Sequence, residues 1–280
     1  PTSVLSRLAK DRLLAIARSD IAAGIHGALD RGVETIFGDS ICAIEQDESR
    51  VMIGFEHAPT REVDLVVGAD GLRSRVRALA FGAESKFDYA LGCHVAAFEL
   101  PGYRPREDSV AMIHGAPGRY ISCIPLREDR TLVFAVFRDK CLIGEVPSNA
   151  SERKAALRAI FADMGWECPR ILSAMVEIDE IYFDSVSQIR MERWTHGRVA
   201  LVGDAAACPS LIAGEGAGLA MAEAYVLAGE IHTSRGNLAA AFSRYEERLK
   251  PFLTRKQKAA EKMVGAFVPN SAFGVAARNF

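Results

Sequence analysis

The pattern of apolar and polar positions predicts that the chain begins with mixed helices and strands. Apolar residues recur at helical spacing over residues 4–30, and Ser19 or Asp20 is placed to cap a second helix after a break near residue 17. Short apolar runs separated by turn residues then predict strands over residues 35–44, 50–55 and 62–68.

The middle of the chain is rich in strand-forming residues. Runs of Val, Ile, Phe and Tyr separated by turns predict an antiparallel sheet that forms a domain of its own. A helical pattern interrupts it over residues 151–164, with Ser151 as its N-cap. The strands are expected over residues 94–100, 109–114, 120–125, 131–138 and 179–189.

The last part returns to alternating strand and helix. Residues 197–204 form an apolar strand that ends in a turn, a small-residue helix is predicted over residues 214–231, and further helices run through residues 238–264. The sequence therefore predicts an α/β fold in three stretches. Residues 1–84 and 191–280 form one domain, and the β-rich residues 85–190 are inserted into it.

Composition and charge narrow the class of protein. The 280 residues are 49% hydrophobic and 25% charged, with a formal net charge of −2, as in an ordinary globular protein. Lys and Arg are scattered along the chain, which argues against a nucleic-acid partner. No apolar run reaches the roughly 18 residues of a membrane span, and the first residues lack the pattern of a secretion signal.

The six cysteines indicate neither a metal site nor a disulfide scaffold. Their spacing is irregular, they form no Cys-x-x-Cys pair, and they do not cluster with histidines. We therefore expect reduced thiols in a cytoplasmic protein.

Residues 203–224 carry the first chemical motif. A buried strand ends in Gly203-Asp204, which places a carboxylate at the carboxyl edge of a sheet, where open α/β sheets bind ligands. Such an Asp accepts hydrogen bonds from sugar-like hydroxyl groups. Gly214, Gly216 and Gly218 then open a helix, and glycines there let a ligand approach unpaired backbone amides. The alternative is that these glycines only permit tight packing of a helix on a strand.

Residues 64–77 carry the second motif, an apolar strand followed by Asp70-Gly71 and the start of a helix. Ser74 and Arg77 follow at positions that suit a capped, anion-friendly turn, with Asp70 fixing the loop. Arg73 and Arg75 lie near the same turn, but each taken alone is better explained as part of an exposed basic helix face.

Together the two motifs resemble those of the FAD-dependent, aromatic-hydroxylase-like flavoprotein monooxygenases of the p-hydroxybenzoate hydroxylase type. In that family the later motif reads Gly-Asp-Ala-Ala-His, then a proline, then Gly-Gln-Gly and a helix. The resemblance places Asp204 on the ribityl chain of FAD and residues 214–218 against the isoalloxazine ring. It assigns cofactor contacts to Gly203, Asp204, Pro209, Gly214, Glu215, Gly216, Ala217 and Gly218.

Three positions depart from the family pattern. Ala207 stands where the family usually has His, Glu215 where Gln is common, and Gly218 where Asn is common. Ala207 is expected to matter little. A carboxylate at Glu215 opposes the negative charge that a reduced flavin develops, unless its side chain points away.

The earlier motif resembles the Asp-Gly motif of the same family, which contacts both FAD and the pyridine nucleotide. It adds Asp70, Gly71 and Arg77 to the expected cofactor site. Arg18 stands where the family has an arginine that contacts FAD, but a solvated position on a helix explains it equally well.

The resemblance implies a fold and a reaction. The fold is a Rossmann-like FAD-binding domain with an inserted antiparallel β-sheet substrate domain, and Phe98, Tyr120, Phe134 and Phe137 are guessed to line its pocket. NADPH or NADH reduces the flavin, O₂ adds to give a C4a-hydroperoxide, and one oxygen reaches an aromatic or other electron-rich small molecule. The alternatives are a double-bond reductase, a halogenase, or a member that binds a ligand without catalysis.

A dinucleotide-binding strand, Gly-x-Gly-x-x-Gly turn and helix are not found before Arg18. The sequence leaves three explanations, which are an upstream portion that is missing here, a second polypeptide, or a degenerate protein. A missing upstream portion is favoured, because the sequence starts at Pro1 and not at Met and because both motifs are intact. The 280 residues alone are expected to bind FAD weakly or not at all.

Overall fold

The computed structural model describes residues 18–30, 32–105 and 112–279. The predicted helical residues 4–17 and the predicted strand residues 109–111 lie outside this described part. The helices are α1 (Arg18–Gly27), α2 (Arg75–Phe81), α3 (Ala150–Phe161), α4 (Cys168–Ala174), α5 (Asp204–Ala207), α6 (Gly216–Thr233), α7 (Leu238–Phe267) and α8 (Ala272–Asn279). The strands are β1 (Ile41–Gln46), β2 (Val51–Phe55), β3 (Arg61–Val63), β4 (Val66–Gly68), β5 (Asp88–Pro101), β6 (Met112–Ala116), β7 (Arg119–Pro125), β8 (Arg130–Arg138), β9 (Tyr182–Ile189), β10 (Thr195–His196) and β11 (Val199–Leu201).

A small sheet of order β10-β11-β4 carries both chemical motifs. Strands β11 and β4 pair in parallel, with Leu201 opposite Gly68. The apolar residues of these strands form one core with residues of α6 and α7, including Tyr245 and Phe242. Because the two strands run in the same direction, their carboxyl ends lie at the same edge of the sheet.

The predicted strand over residues 62–68 is wrong in one respect, since it is two strands in two sheets. Arg61–Val63 pairs with β2 in an antiparallel sheet of order β1-β2-β3, and Val66–Gly68 joins the parallel sheet. The break is held by Arg198, whose side chain donates to Asp64 O at 2.9 Å and whose carbonyl accepts from Val66 N at 3.0 Å. Periodicity along the chain does not reveal such a change of sheet, because it does not specify which strand each half pairs with.

The β-rich stretch forms a five-stranded sheet of order β6-β7-β8-β5-β9, as the sequence predicted. Alternation along each strand gives the sheet two apolar faces. One face packs on α3 and α4 around Phe137, Phe161 and Ile171. The other packs on the end of α7 and on the short 3₁₀ helix Leu211–Ala213, around Tyr120, Val136 and Val264, so it faces the domain with the two motifs.

The helices differ from the prediction at their ends. Helix α3 is capped by Asn149, whose side chain accepts from Glu152 N at 3.0 Å, and not by Ser151. Residues 238–264 belong to one helix, α7, which continues through Pro251. The short helices α4 and α8 were not predicted. Within the described ranges, no helix has both the length and the apolar character that crossing a membrane requires.

The packing of β4 against its neighbours yields a stability prediction. A Cβ on Gly68 would lie 2.7 Å from Leu201 Cδ2 and 2.8 Å from Val76 Cβ. We expect Gly68→Ala to lower the free energy of unfolding by about 1–3 kcal/mol, because the core there has no room for a methyl group. Urea denaturation measures it. Gly165→Ala is the matched control, since a Cβ on Gly165 meets nothing within 4 Å, and equal stability of the two variants would contradict this packing.

Candidate functional site

The two sequence motifs leave the small sheet side by side. Strand β4 ends at Gly68 and β11 at Leu201, and Val202 N donates to Gly68 O at 3.0 Å just beyond the paired residues. The loop with Asp70-Gly71 and the loop with Gly203-Asp204 therefore begin at the same sheet edge.

Arg77 joins these two loops. Its side chain is fully buried, and its guanidinium donates to Ala205 O at 3.1 Å and to Leu72 O at 2.7 Å. Burial lowers the pKa of this guanidinium from its ordinary value, and the Glu84 carboxylate 3.9 Å away partly offsets the effect. The enclosed charge of Arg77 bonds the two loops to each other, and the expected cofactor contact of this residue stays a prediction.

Asp70 fixes its own loop, as the sequence predicted. Its carboxylate accepts from Ser74 Oγ at 2.5 Å, from Arg75 N at 2.7 Å and from Val76 N at 2.9 Å. Ser74 in turn accepts from Arg77 N at 2.9 Å and caps α2. Asp70 therefore supplies acceptors to the first amides of α2, which have no partners within the helix.

Arg73 and Arg75 are engaged by carboxylates. Arg73 donates to Glu84 at 2.8 Å, to Asp88 at 2.9 Å and to Asp184 at 2.7 Å, and the hydrogen bond to Glu84 is the main cause that raises the Arg73 pKa. Its partners lie before β5, in β5 and in β9. Arg73 thus ties the Asp-Gly loop to the five-stranded sheet.

Arg75 forms an ion pair with Glu56 just after β2. This pair supports the interpretation of Arg75 as a structural surface residue and not as an anion ligand.

The turn at Gly203 requires glycine. Gly203 has φ of +62°, and a Cβ there would lie 2.9 Å from Ala220 Cβ in α6. Asp204 follows as the first residue of α5 and is half-buried, and no ion pair is formed by its carboxylate within the described part of the chain. A Cβ on Gly216 would lie 3.6 Å from Asp204 Oδ1, so the start of α6 lies beside this carboxylate.

The glycine-rich start of α6 borders open space. Gly214 has φ of +68°, and a Cβ on Gly71, Gly214 or Gly218 would meet nothing within 4 Å. Ala217 is exposed in the first turn of the helix. This space lets a ligand approach the first amides of α6. Tight packing of a helix on a strand therefore does not explain the glycines at positions 214 and 218.

The side chain of Glu215 points to α7. Its carboxylate forms an ion pair with Lys256 Nζ at 2.6 Å. The charge that the sequence placed near a reduced flavin is therefore paired with a cation. Ala207, the other departure from the family pattern, is buried in the core of the small sheet.

Three buried polar residues that bond to the second motif loop were not found from the sequence. Glu223 is 2% exposed and accepts from Gly203 N at 2.8 Å and from Tyr245 Oη at 3.4 Å. Gln188 and Gln257, also buried, donate to the carbonyls of Pro209 and Cys208. The only sequence signal for any of them was the position of Glu223, an acidic residue among the small, apolar residues of α6.

The aromatic residues guessed to line a pocket are divided between the two faces of the sheet. Phe98 and Phe137 lie in the core under α3 and α4, away from the motifs, which corrects that guess. Tyr120 and Phe134 lie on the opposite face, and the ring of Tyr120 is 6.2 Å from that of Phe267 in α7. Arg18 begins helix α1, but its side chain lies outside the described part of the structure.

Comparison with known proteins places this geometry in a family. The family model described as "FAD binding domain" matches residues 25–258, which include both motifs. The chain belongs to the FAD-binding family of flavoprotein monooxygenases.

Other members of this family resemble the chain over most of its length. A flavin-dependent monooxygenase from an unknown prokaryotic organism is 36% identical over 222 residues, which are 79% of this chain and 57% of that protein. An uncharacterised protein of Mycobacterium tuberculosis is 34% identical over 269 residues, 92% of this chain and 70% of that protein. The crystal structure of tetracycline destructase Tet(51) is 33% identical, with a TM-score of 0.74, and the match covers 86% of this chain and 65% of that one.

The chain thus spans less than two thirds of the first of these flavoprotein monooxygenases and of the destructase. The shared fold, an FAD-binding domain with a sheet-based second domain, agrees with the architecture described above. The activity of the whole protein does not follow from these matches, because this chain corresponds to only part of each relative.

The site of this FAD-binding domain fits its cofactor. The half-buried Asp204 offers acceptors for hydroxyl groups, and the open start of α6 offers amide donors beside them. The space beside the helix start is open, because a Cβ on Gly214 or Gly218 would meet nothing within 4 Å.

Burial gives Glu223 a testable titration. Desolvation raises its pKa from 4.5 to about 7, while the hydrogen bond from Gly203 N opposes this change. Because the folded state keeps the proton and the unfolded state loses it, the free energy of unfolding falls as pH rises between about 4.5 and 7. At about 1.4 kcal/mol per pKa unit, the loss is at most about 3.5 kcal/mol. Urea denaturation across this pH range measures it.

The variant Glu223→Gln keeps an acceptor for Gly203 N and cannot titrate. We expect its stability to vary less steeply with pH than that of the unsubstituted protein over the same range. Glu192→Gln, at an exposed glutamate, is the control and should keep the original slope. Parallel pH profiles for the unsubstituted protein and Glu223→Gln would show that folding does not raise the pKa of Glu223.

Proposed function

We propose that the whole protein is an FAD-dependent monooxygenase that uses NADPH or NADH and O₂ to insert one oxygen atom into an electron-rich small molecule, such as an aromatic compound. The observation that carries this proposal is the pair of motif loops at one sheet edge, bonded through Arg77, next to the open start of α6. The names of the relatives, a flavin-dependent monooxygenase and a tetracycline destructase, support the same class of reaction.

Asp204 is proposed to bind the ribityl hydroxyls of FAD. Its carboxylate is half-buried at the sheet edge and forms no ion pair with a described residue, so it can accept hydrogen bonds from a ligand. Gly203 sets the turn that presents it. Glu223 holds Gly203 N from behind, so it acts on the cofactor through the backbone.

The segment from Pro209 to Gly218 is proposed to lie against the isoalloxazine ring. Gly214, Gly216 and Gly218 place no side chain at their three positions of the helix start. The amides of Glu215, Gly216 and Ala217 lie at the positive end of the α6 dipole. Such an end stabilises negative charge on a reduced flavin. The Lys256 partner of Glu215 removes the opposing charge.

Asp70, Gly71 and Arg77 are proposed to form the second side of the cofactor site. Gly71 has φ of +79° and open space at its Cα, so a ligand can approach its backbone. Asp70 and Arg77 contribute by holding that backbone in place, since their polar atoms bond to α2, Leu72 and Ala205.

Bound FAD would supply the redox chemistry, in which the hydride of NADPH or NADH and one proton would reduce O₂, so that one oxygen atom would join the substrate and the other would leave as water. The residues of this chain orient the cofactor and exclude water. The face of the five-stranded sheet that carries Tyr120 and Phe134 is proposed to cover the site and to influence which substrate is accepted.

Replacement of Asp204 tests the cofactor site. In the full-length protein we expect Asp204→Ala to raise the dissociation constant for FAD roughly 10- to 100-fold, because hydrogen bonds to a charged group contribute about 1.5–3 kcal/mol. Quenching of flavin fluorescence on titration with apoprotein measures it. Asp64→Ala, at an exposed aspartate before β4, is the control and should bind FAD like the unsubstituted protein. Unchanged affinity in Asp204→Ala would remove Asp204 from the site.

The reaction is tested with the full-length protein loaded with FAD. Substrates are screened among phenols and fused polycyclic aromatics, and a true substrate should accelerate both NADPH or NADH oxidation and O₂ uptake. Mass spectrometry of the product should show the gain of one oxygen atom. A gain of two hydrogens or of a halogen would instead indicate a reductase or a halogenase, and absence of flavin absorbance after FAD addition would reject the proposal.

A further inference from the structure

Two buried glutamines hold the loop between α5 and α6. This loop, residues 208–215, lies between strand β9 and helix α7. Gln188 of β9 is fully buried, and Gln257 of α7 is 8% exposed. Buried side-chain amides are costly unless all their polar atoms are bonded, so their hydrogen bonds show what they hold in place.

Gln188 connects the loop to both neighbours. Its Nε2 donates to Pro209 O at 2.9 Å and to the backbone carbonyl of Gln257 at 2.8 Å. The amide thus uses both of its hydrogens, one on the loop and one on α7.

Gln257 completes the connection from the other side. Its Nε2 donates to Ile189 O at 2.6 Å and to Cys208 O at 3.3 Å, and Cys208 O also accepts from Ile189 N at 3.2 Å. Each glutamine therefore donates to one loop carbonyl and to one carbonyl of the other element. Two adjacent loop residues are bonded to the sheet and to α7 at once.

Arg190 fixes the orientation of the Gln188 amide. Its Nε and Nη2 donate to Gln188 Oε1 at 2.9 and 2.6 Å, so the oxygen must face Arg190 and the nitrogen must face the carbonyls. Arg190 lies over the ring of Tyr89, 3.6 Å from its centroid, and pairs with Glu261 of α7 at 3.2 Å.

The loop needs such support because its backbone is strained. Ser210 has φ of +109° and ψ of 145°, a region that residues with a side chain rarely adopt. It follows Pro209 directly and is 2% exposed. A strained conformation persists only where surrounding bonds determine it, and the carbonyls of the two preceding residues are the ones that the glutamines bind.

We propose that Gln188 and Gln257, with Arg190, are positioning residues that hold the Pro209–Ser210 backbone in its strained form so that the start of α6 faces the cofactor. The inference rests on the proposed binding of FAD at this site. It also gives the five-stranded sheet a direct connection to the cofactor loop, because Gln188 belongs to β9.

The test uses the full-length protein with the variants Gln188→Met and Gln257→Met. Methionine keeps the length and volume of the side chain but cannot donate, so Pro209 O and Cys208 O each lose a partner. We expect the FAD dissociation constant to rise about tenfold and the visible circular dichroism of the flavin, measured at saturating FAD, to change. Lys258→Met, at an exposed neighbour on α7, is the matched control and should leave both readings unchanged.

Far-ultraviolet circular dichroism and thermal melting separate positioning from packing. Variants that melt earlier but keep the FAD affinity and the flavin spectrum of the unsubstituted protein would overturn the inference, since a packing role predicts that result. Absence of FAD binding by the unsubstituted protein would reject the proposed function. Normal FAD binding by the variants would reject only the positioning role, so the two failures are distinguishable. Should the Met variants not fold, Arg190→Met, at a side chain that is 36% exposed, takes their place, and a flavin spectrum identical to that of the unsubstituted protein would overturn the inference.

Discussion

The site depends on one buried cation that bonds two loops. The Arg77 guanidinium is fully buried, and it donates to Ala205 O and to Leu72 O, with the Glu84 carboxylate 3.9 Å away. Its Nε has no hydrogen-bond partner in the described part of the chain. A buried charge that loses its partners costs several kcal/mol, so neither loop can move far without the other. The parallel pairing of β4 and β11 brings the loops to one edge, and Arg77 keeps them together beyond the point where strand pairing ends.

The other charges around this edge are paired within the protein. Arg73 binds three carboxylates, Asp70 binds the start of α2, and Lys256 binds Glu215. Among these groups Asp204 differs, because its carboxylate is half-buried and forms no ion pair with any residue that the structure describes. A carboxylate without an ion-pair partner can accept hydrogen bonds from hydroxyl groups, and the amides of a helix start favour negative charge. Both features agree with the FAD binding domain that the family model matches over residues 25–258.

The sequence predicted the motif loops well and their supports poorly. A strand that ends in Gly-Asp or Asp-Gly is a local pattern, so the positions of Asp70 and Asp204 follow from it. The division of residues 62–68 between two sheets does not follow, because it depends on pairing with β2 and with β11, which are separate in sequence. Glu223 and Gln257 act on backbone atoms 20 and 49 residues away along the chain, and single-sequence periodicity contains no information on such pairs. The contact of Arg77 with Ala205, 128 residues away, lies equally beyond any local pattern.

The supports form a common arrangement along the loop that leads from β11 to α6. Glu223 holds its start at Gly203, the two glutamines hold its middle at Cys208 and Pro209, and Lys256 holds its end at Glu215. Helix α7 takes part at all three points, since it supplies Tyr245 beside Glu223 and carries Gln257 next to Lys256. A single long helix therefore helps to fix the position of this loop at its start, middle and end. Preorganisation of this kind lowers the entropic cost of binding, because the loop is already ordered before a ligand arrives.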